Sequence, residues 1–99
     1  MLNDDSVDAN MNILNTFFHG INSDSRITAV HISLFMAIFC EWSRRSYVNP
    51  MPVERRQIME LAKISSTVTY FKRLKDLQDF GYIKYIPAKH RYVLSYIQF

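Results

Sequence analysis

The sequence predicts a mainly α-helical fold with a small β-hairpin, and three observations carry that expectation. Apolar residues recur at three- and four-residue spacing through successive segments, the pattern of helices that pack one face. Prolines at 50 and 52 and the Ser65-Ser66-Thr67 run cut that pattern into separate helices. After Gly81 it gives way to two runs rich in aromatic and β-branched residues, YIKYI and RYVLSYI, around the short PAKH. Two such runs around a short loop read as a hairpin.

Residues 1–8 read as a flexible tail and 9–99 as one domain. From about Ala9 to Gly20 a helical stripe is formed by Met11, Leu14, Phe17, Phe18 and Ile21, with Gly20 just past the helix end. Ser23, Asp24 and Ser25 make a turn. A long helix follows from near Thr28, its N-cap, to near Arg45. Val30, Ile32, Leu34, Phe35, Met36, Ile38, Phe39 and Trp42 make it apolar on nearly every side, as a buried central helix is. Within it, His31 reads as a core histidine facing a polar neighbour and Cys40 as a small buried hydrophobe. The first helix is expected to cover part of the central one and a second copy of the chain the rest, giving a homodimer through the N-terminal and central helices.

Asn49-Pro50-Met51-Pro52 forces an extended segment. ERRQIMELAK, residues 54–63, forms the next helix and buries Ile58, Met59, Leu61 and Ala62, with Glu54 as a weak cap. The last helix spans about 66–80, capped by Ser65 or Ser66 and stopped by Gly81. The hairpin occupies about 82–98. From the central helix onward this order is that of a winged helix-turn-helix, here with an extra N-terminal helix and the hairpin as its wing.

Composition narrows the function classes. At 99 residues and 48% hydrophobic content the chain can build one core but has little room for a deep catalytic cleft, which favours a binding module. A single cysteine excludes a disulfide framework and suits a reducing, cytoplasmic setting. MLNDDSVDAN is too acidic and polar for a signal peptide, and ITAVHISLFMAIFCEW too short and polar to cross a membrane. His19 and His31 lie twelve apart with no third ligand nearby, so no metal is expected. With no Gly-rich phosphate loop, nucleophile motif or carboxylate pair, the chain reads as a non-enzyme without a cofactor.

Charge is distributed unevenly. Residues 1–43 carry one basic and five acidic side chains, net −4, whereas residues 44–99 carry eleven basic and four acidic ones, net +7, together the overall +3. A basic C-terminal half is the electrostatic footprint expected for a polyanionic partner such as double-stranded DNA. A merely solubilising surface would have the same composition.

Two registers are open to the last helix. One buries Val68 and Phe71 and turns Thr69, Arg73 and Asp76 outward. The other buries Tyr70, Leu74 and Leu77, spaced i, i+4, i+7, and is the cleaner stripe. It leaves Thr67, Val68, Phe71, Lys72 and Lys75 facing outward. An outward phenylalanine suits a thymine methyl in a major groove; it would equally suit the N-terminal helix or a dimer contact. Asp76 and Asp79 are accounted for by salt bridges along the helix.

The stretch LAKISSTVTYFKRLKDLQDFGYIKY resembles the winged helix-turn-helix of bacterial DNA-binding regulators. With HISLFMAIFCEW, NPMPVERRQIMELAKISS and GYIKYIP, residues 28–87 resemble a family of small winged-helix proteins of bacterial mobile genetic elements, usually described as transcriptional regulators. The chain departs from that family at Arg73, where a small residue is usual, at Glu54, where Ser or Thr is usual, and in its short wing.

The resemblance implies sequence-specific binding of double-stranded DNA with the last helix in the major groove, N-terminus first. Ser65, Ser66 and Thr69 would then meet phosphate, as would Arg73 and Lys75, while Thr67, Phe71 and Lys72 would meet base edges. Arg55 and Arg56 begin a helix that the phosphate backbone crosses, and Lys89, His90 and Arg91 lie on the wing. An accessory factor for excision or replication of a mobile element would use the same contacts. A different class, a protein-interaction winged helix, would dock through the Val68–Phe71 face and the wing aromatics Tyr82, Tyr85, Tyr92 and Tyr96.

Overall fold

The computed structural model describes residues 4–91 and 93–99, with side chains from residue 10 onward. Four helices and three short strands follow one another as α1 (Asp4–Ile21), α2 (Ala29–Arg44), β1 (Met51–Val53), α3 (Arg55–Ala62), α4 (Thr67–Asp79), β2 (Lys84–Ile86) and β3 (Ser95–Gln98). The chain is thus mainly helical with a small three-stranded antiparallel sheet, ordered β1-β3-β2.

The helix α1 starts at Asp4, so positions 4–8 are helix rather than tail, and residues 1–3 lie outside the described residues. Gly20 falls inside this helix instead of beyond it, and a Cβ at this position would lie 3.5 Å from the Tyr82 ring. Of the expected α1 stripe, Phe17 is buried, Leu14 and Ile21 are partly buried, and Met11 and Phe18 are exposed. Phe17 stacks on Phe35 of α2 at 3.7 Å and meets Tyr82 edge-on at 5.2 Å.

The central helix α2 buries Leu34, Phe35, Ala37, Ile38, Phe39 and Trp42, as its all-round apolar sequence predicts. Thr28 caps it: its backbone N–H donates to His31 Nδ1 at 2.9 Å. His31 is buried and faces Asp76, a polar neighbour of the kind expected. Cys40 is exposed, against expectation. It shares the outward stripe of α2 with half-buried Met36 and exposed Arg44, one turn to either side, and no second element among the described residues covers that stripe fully. Glu41, an interruption in the apolar run, is buried and bonded by Arg45 Nε at 2.9 Å.

The extended segment after Asn49 contains a strand, β1, that pairs with β3. Met51 pairs with Ile97 and Val53 with Ser95, and Met51, Val53 and Ile97 are all buried. Pro52 is tolerated because β1 is an edge strand. The expected two-stranded hairpin is therefore a three-stranded sheet with the C-terminal strand in its centre. Strands β2 and β3 are also shorter than YIKYI and RYVLSYI, so the connection spans 87–94 rather than PAKH alone. Val93 and Leu94 lie in that loop and are exposed. Asn49 fixes the chain end by bonding the backbone N–H and carbonyl of Phe99.

Both α3 and α4 end in left-handed residues. After α3, Lys63 has φ +60°, and Ile64 N–H reaches back to Met59 O. After α4, Gly81 has φ +89°, and Tyr82 N–H reaches back to Leu77 O. In each case the six-to-one bond caps carbonyls that the helix leaves open. The buried side of α3 is Ile58, Met59 and Ala62. Leu61 is exposed against expectation, because it lies roughly a quarter turn away from the centre of that stripe.

Candidate nucleic-acid interface

The helix α4 takes the second of the two registers. Tyr70, Leu74 and Leu77 are buried, and burial pushes the Tyr70 hydroxyl up to about 12. That stripe turns Val68, Phe71, Lys72 and Lys75 outward, with Val68 77% and Phe71 42% exposed. Ser66 is the N-cap: its Oγ accepts from Thr69 N–H at 3.2 Å. The first-turn N–H groups of Thr67 and Val68 have no intrahelical acceptor.

The starts of α3 and α4 are tied together. Arg55 Nη1 donates to Thr67 Oγ1 at 3.4 Å and lies the same distance from Met59 Sδ. A groove of about 530 Å³ opens beside this contact, lined by Arg55, Arg56, Lys63, Ser65 and Thr67 among others. A smaller one of about 210 Å³ adjoins it at Lys63, Ser65, Ser66 and Thr69. A third of about 650 Å³ lies between Arg55 and the 87–94 loop, where Arg91, Val93 and Leu94 form its far wall. Arg55 thus lines both the groove at the α3–α4 turn and the one at the loop, and Arg55, Arg56, Lys63 and Arg91 stand along these grooves among apolar side chains and the acidic Glu54 and Glu60.

Eight of the sequence-derived residues line these grooves: Arg55, Arg56, Ser65, Ser66, Thr67, Thr69, His90 and Arg91. Phe71 and Lys72 are exposed on the outer face of α4, and Lys89 is exposed in the loop. Arg73 and Lys75 are engaged within their own helix, Arg73 Nη1 with Asp76 at 2.8 Å and Lys75 Nζ with Asp79 at 2.9 Å. The Asp79 carboxylate raises Lys75 above its ordinary value. Lys63 is a basic groove residue outside the sequence-derived set. A lone lysine at a helix end gives no periodic signal, and its place follows only from the left-handed turn.

The turn before α2 is locked onto the far end of α4. Arg26 binds Asp24 through Nε and Nη2 at 2.8 and 2.9 Å, Tyr82 OH donates to Asp24 Oδ2 at 2.6 Å, and the Arg26 guanidinium lies 4.0 Å over the Phe80 ring. The Arg26 and Tyr82 bonds hold the Asp24 carboxyl well below the usual range, and burial with the Asp24 bond raises Tyr82. Tyr82 and Tyr85 pack against the core rather than forming an aromatic docking surface; Tyr96 is half-buried, and Tyr92 lies outside the described residues.

Among the described residues no three His, Cys, Asp or Glu side chains come together as metal ligands do. No helix of the described residues is long and apolar enough to cross a membrane. No protein-family model matches the chain, and no curated protein or solved structure matches it at a significant level.

Proposed function

We propose that this chain is a winged helix-turn-helix protein that binds double-stranded DNA sequence-specifically and acts as a transcriptional regulator, a non-enzyme working in the cytoplasm. In this reading α3, the 63–66 turn and α4 are the helix-turn-helix, α4 enters the major groove, and the 87–94 loop is the wing. The observation that carries it is the tie between the helix starts. Arg55 bonded to Thr67 aligns two helix N-termini on one grooved surface with Arg56 and Lys63, an arrangement suited to a phosphate backbone. The small mobile-element regulators that the sequence resembles would do the same work, and an excision or replication factor would differ only in its target site. Exposed Met11 and Phe18 on α1 support a homodimer, which would require an inverted-repeat site.

The test is binding to random duplex DNA at two salt concentrations, with the wild type beside a Lys72→Ala, Lys75→Ala double variant. Binding that weakens steeply with salt, and with a shallower slope in the variant, is expected. No binding at low salt, or identical slopes, removes α4 from DNA. The second reading, a protein-docking winged helix, would then rest on the exposed Val68–Phe71 pair.

A further inference from the structure

We infer that α4 reads thymine methyl groups through Val68 and Phe71, so that the preferred duplex carries thymines at neighbouring steps of the major groove; this rests on the DNA-binding reading above. Guanine is read by a bidentate Arg or by Lys, and adenine by Asn or Gln. The helix contains one Arg and one Gln and no Asn. Arg73 is about three-quarters buried and bonded to Asp76. Gln78 Oε1 accepts the backbone N–H of Tyr85 at 2.8 Å, which fixes the amide against β2. Neither is presented outward.

The outer face offers little else that hydrogen-bonds a base. Thr67 Oγ1 already accepts from Arg55, and Lys75 is paired with Asp79. Lys72 is the exposed polar side chain left near the middle of the helix. The exposed large hydrophobic side chains of this helix are Val68 and Phe71, three residues apart on one side. Three residues advance about 4.5 Å along a helix, and neighbouring nucleotides on one strand are about 3.4 Å apart. The pair therefore spans one to two base steps. The thymine 5-methyl is the apolar feature displayed by bases in the major groove; Lys72, exposed on the same helix, and Arg55, bonded to Thr67, supply the charge that holds a duplex against it.

The experiment compares a duplex selected from a random pool with the same duplex carrying deoxyuridine in place of thymine, which deletes the methyls and keeps every hydrogen-bonding group. Wild type and a Val68→Ala, Phe71→Ala variant are titrated with both at two salt concentrations. Both positions are exposed, and circular dichroism checks that the variant is folded. Each lost methyl contact should weaken wild-type binding about three- to fivefold, roughly tenfold or more for both, with the salt slope unchanged. The variant should bind the two duplexes equally, which separates methyl contact from altered duplex stiffness. Equal wild-type binding to both duplexes, with salt-dependent affinity intact, overturns the methyl reading and leaves DNA binding standing. Discrimination that survives in the variant overturns the assignment to this pair. Absence of salt-dependent binding overturns both readings together.

Discussion

His31 and Asp76, 45 positions apart, are joined by a 2.8 Å hydrogen bond from the His31 Nε2 proton to Asp76 Oδ2. The tautomer follows from the other ring nitrogen. Nδ1 accepts the Thr28 backbone N–H, so Nδ1 carries no proton and Nε2 must donate. The same Asp76 oxygen also accepts from Arg73 Nη1 at 2.8 Å. One carboxylate therefore ties the start of α2, through its capping histidine, to the last turn of α4.

That arrangement makes stability depend on acid. The His31 bond, with the charges of Arg73 and Lys72, holds the Asp76 carboxyl below its ordinary value. The unfolded chain titrates aspartate at about 3.9, so between that value and the lower native one the unfolded state binds more protons. Stability is then fully present above about pH 5 and drains as pH falls through the native value. Asp76→Asn should cost about 1–2 kcal/mol at pH 7, with the deficit shrinking as the urea melts are taken to lower pH. Asp24, held down by Arg26 and Tyr82, acts in the same direction, so the variant keeps part of the acid slope. A deficit that is constant with pH would show that Asp76 stabilises by packing alone.

The two left-handed helix ends predict opposite responses. Lys63 occupies φ +60°, a conformation that costs an L-residue about 1–2 kcal/mol, and glycine returns part of that gain as unfolded-state entropy. Lys63→Gly should stabilise by about 0.5–1 kcal/mol, read as a higher urea midpoint at unchanged slope. Gly81 has φ +89°, and a Cβ at this position would have no neighbouring atom within 4 Å, so Gly81→Ala meets no clash. Its expected loss of about 1–2 kcal/mol is purely a backbone effect.

Phe17 is the main attachment of α1. It is the buried side chain among the described residues of that helix, and it stacks on Phe35 with an interplanar angle of 2°. A cleft of about 300 Å³ beside it, lined by Asn12, Ile13, Thr16, Tyr82 and Phe99 among others, leaves α1 in contact along a narrow strip. Phe17→Ala should cost about 3–4 kcal/mol locally. Hydrogen exchange should show α1 amides losing protection while α2 and α4 keep theirs. Uniform loss across all helices would mean that α1 belongs to the same cooperative unit.

What was legible in the sequence was local. The i, i+4, i+7 stripe of Tyr70, Leu74 and Leu77, the Gly81 stop, the Thr28 and Ser66 caps and the buried face of α2 all depend on residues within a turn or two of one another. What was missed is set by distant neighbours. β1 exists because Met51 meets Ile97, a pairing across nearly half the chain. Cys40 is exposed because the stripe of α2 that it shares with half-buried Met36 and exposed Arg44 is only partly covered, which composition alone does not reveal. The longer loop before β3 follows from the register Ile86 to Tyr96, not from the propensities of Val93 and Leu94. In the site, the outward face of α4 was legible from its period, whereas the engagement of Arg73 by Asp76 and the groove position of Lys63 needed the fold.

The pairing of Lys75 with Asp79 predicts a gain of function. Their 2.9 Å contact is between side chains that are 73% and 49% exposed. Such a pair contributes well under about 1 kcal/mol to stability, so Asp79→Asn should leave the urea midpoint almost unchanged. On the proposed DNA-facing helix its effect on binding should be larger. The substitution removes one negative charge from the helix and frees Lys75 to contact phosphate. Each added phosphate contact steepens the salt dependence by about 0.9 in logarithmic slope. Asp79→Asn should therefore bind duplex DNA several-fold more tightly at low salt and with a slope steeper by roughly one, an advantage that disappears when Lys75→Ala is added. If Asp79→Asn leaves affinity and slope unchanged, the last turns of α4 lie away from the backbone, and contact is confined to the N-terminal half of the helix and the Arg55–Arg56 groove.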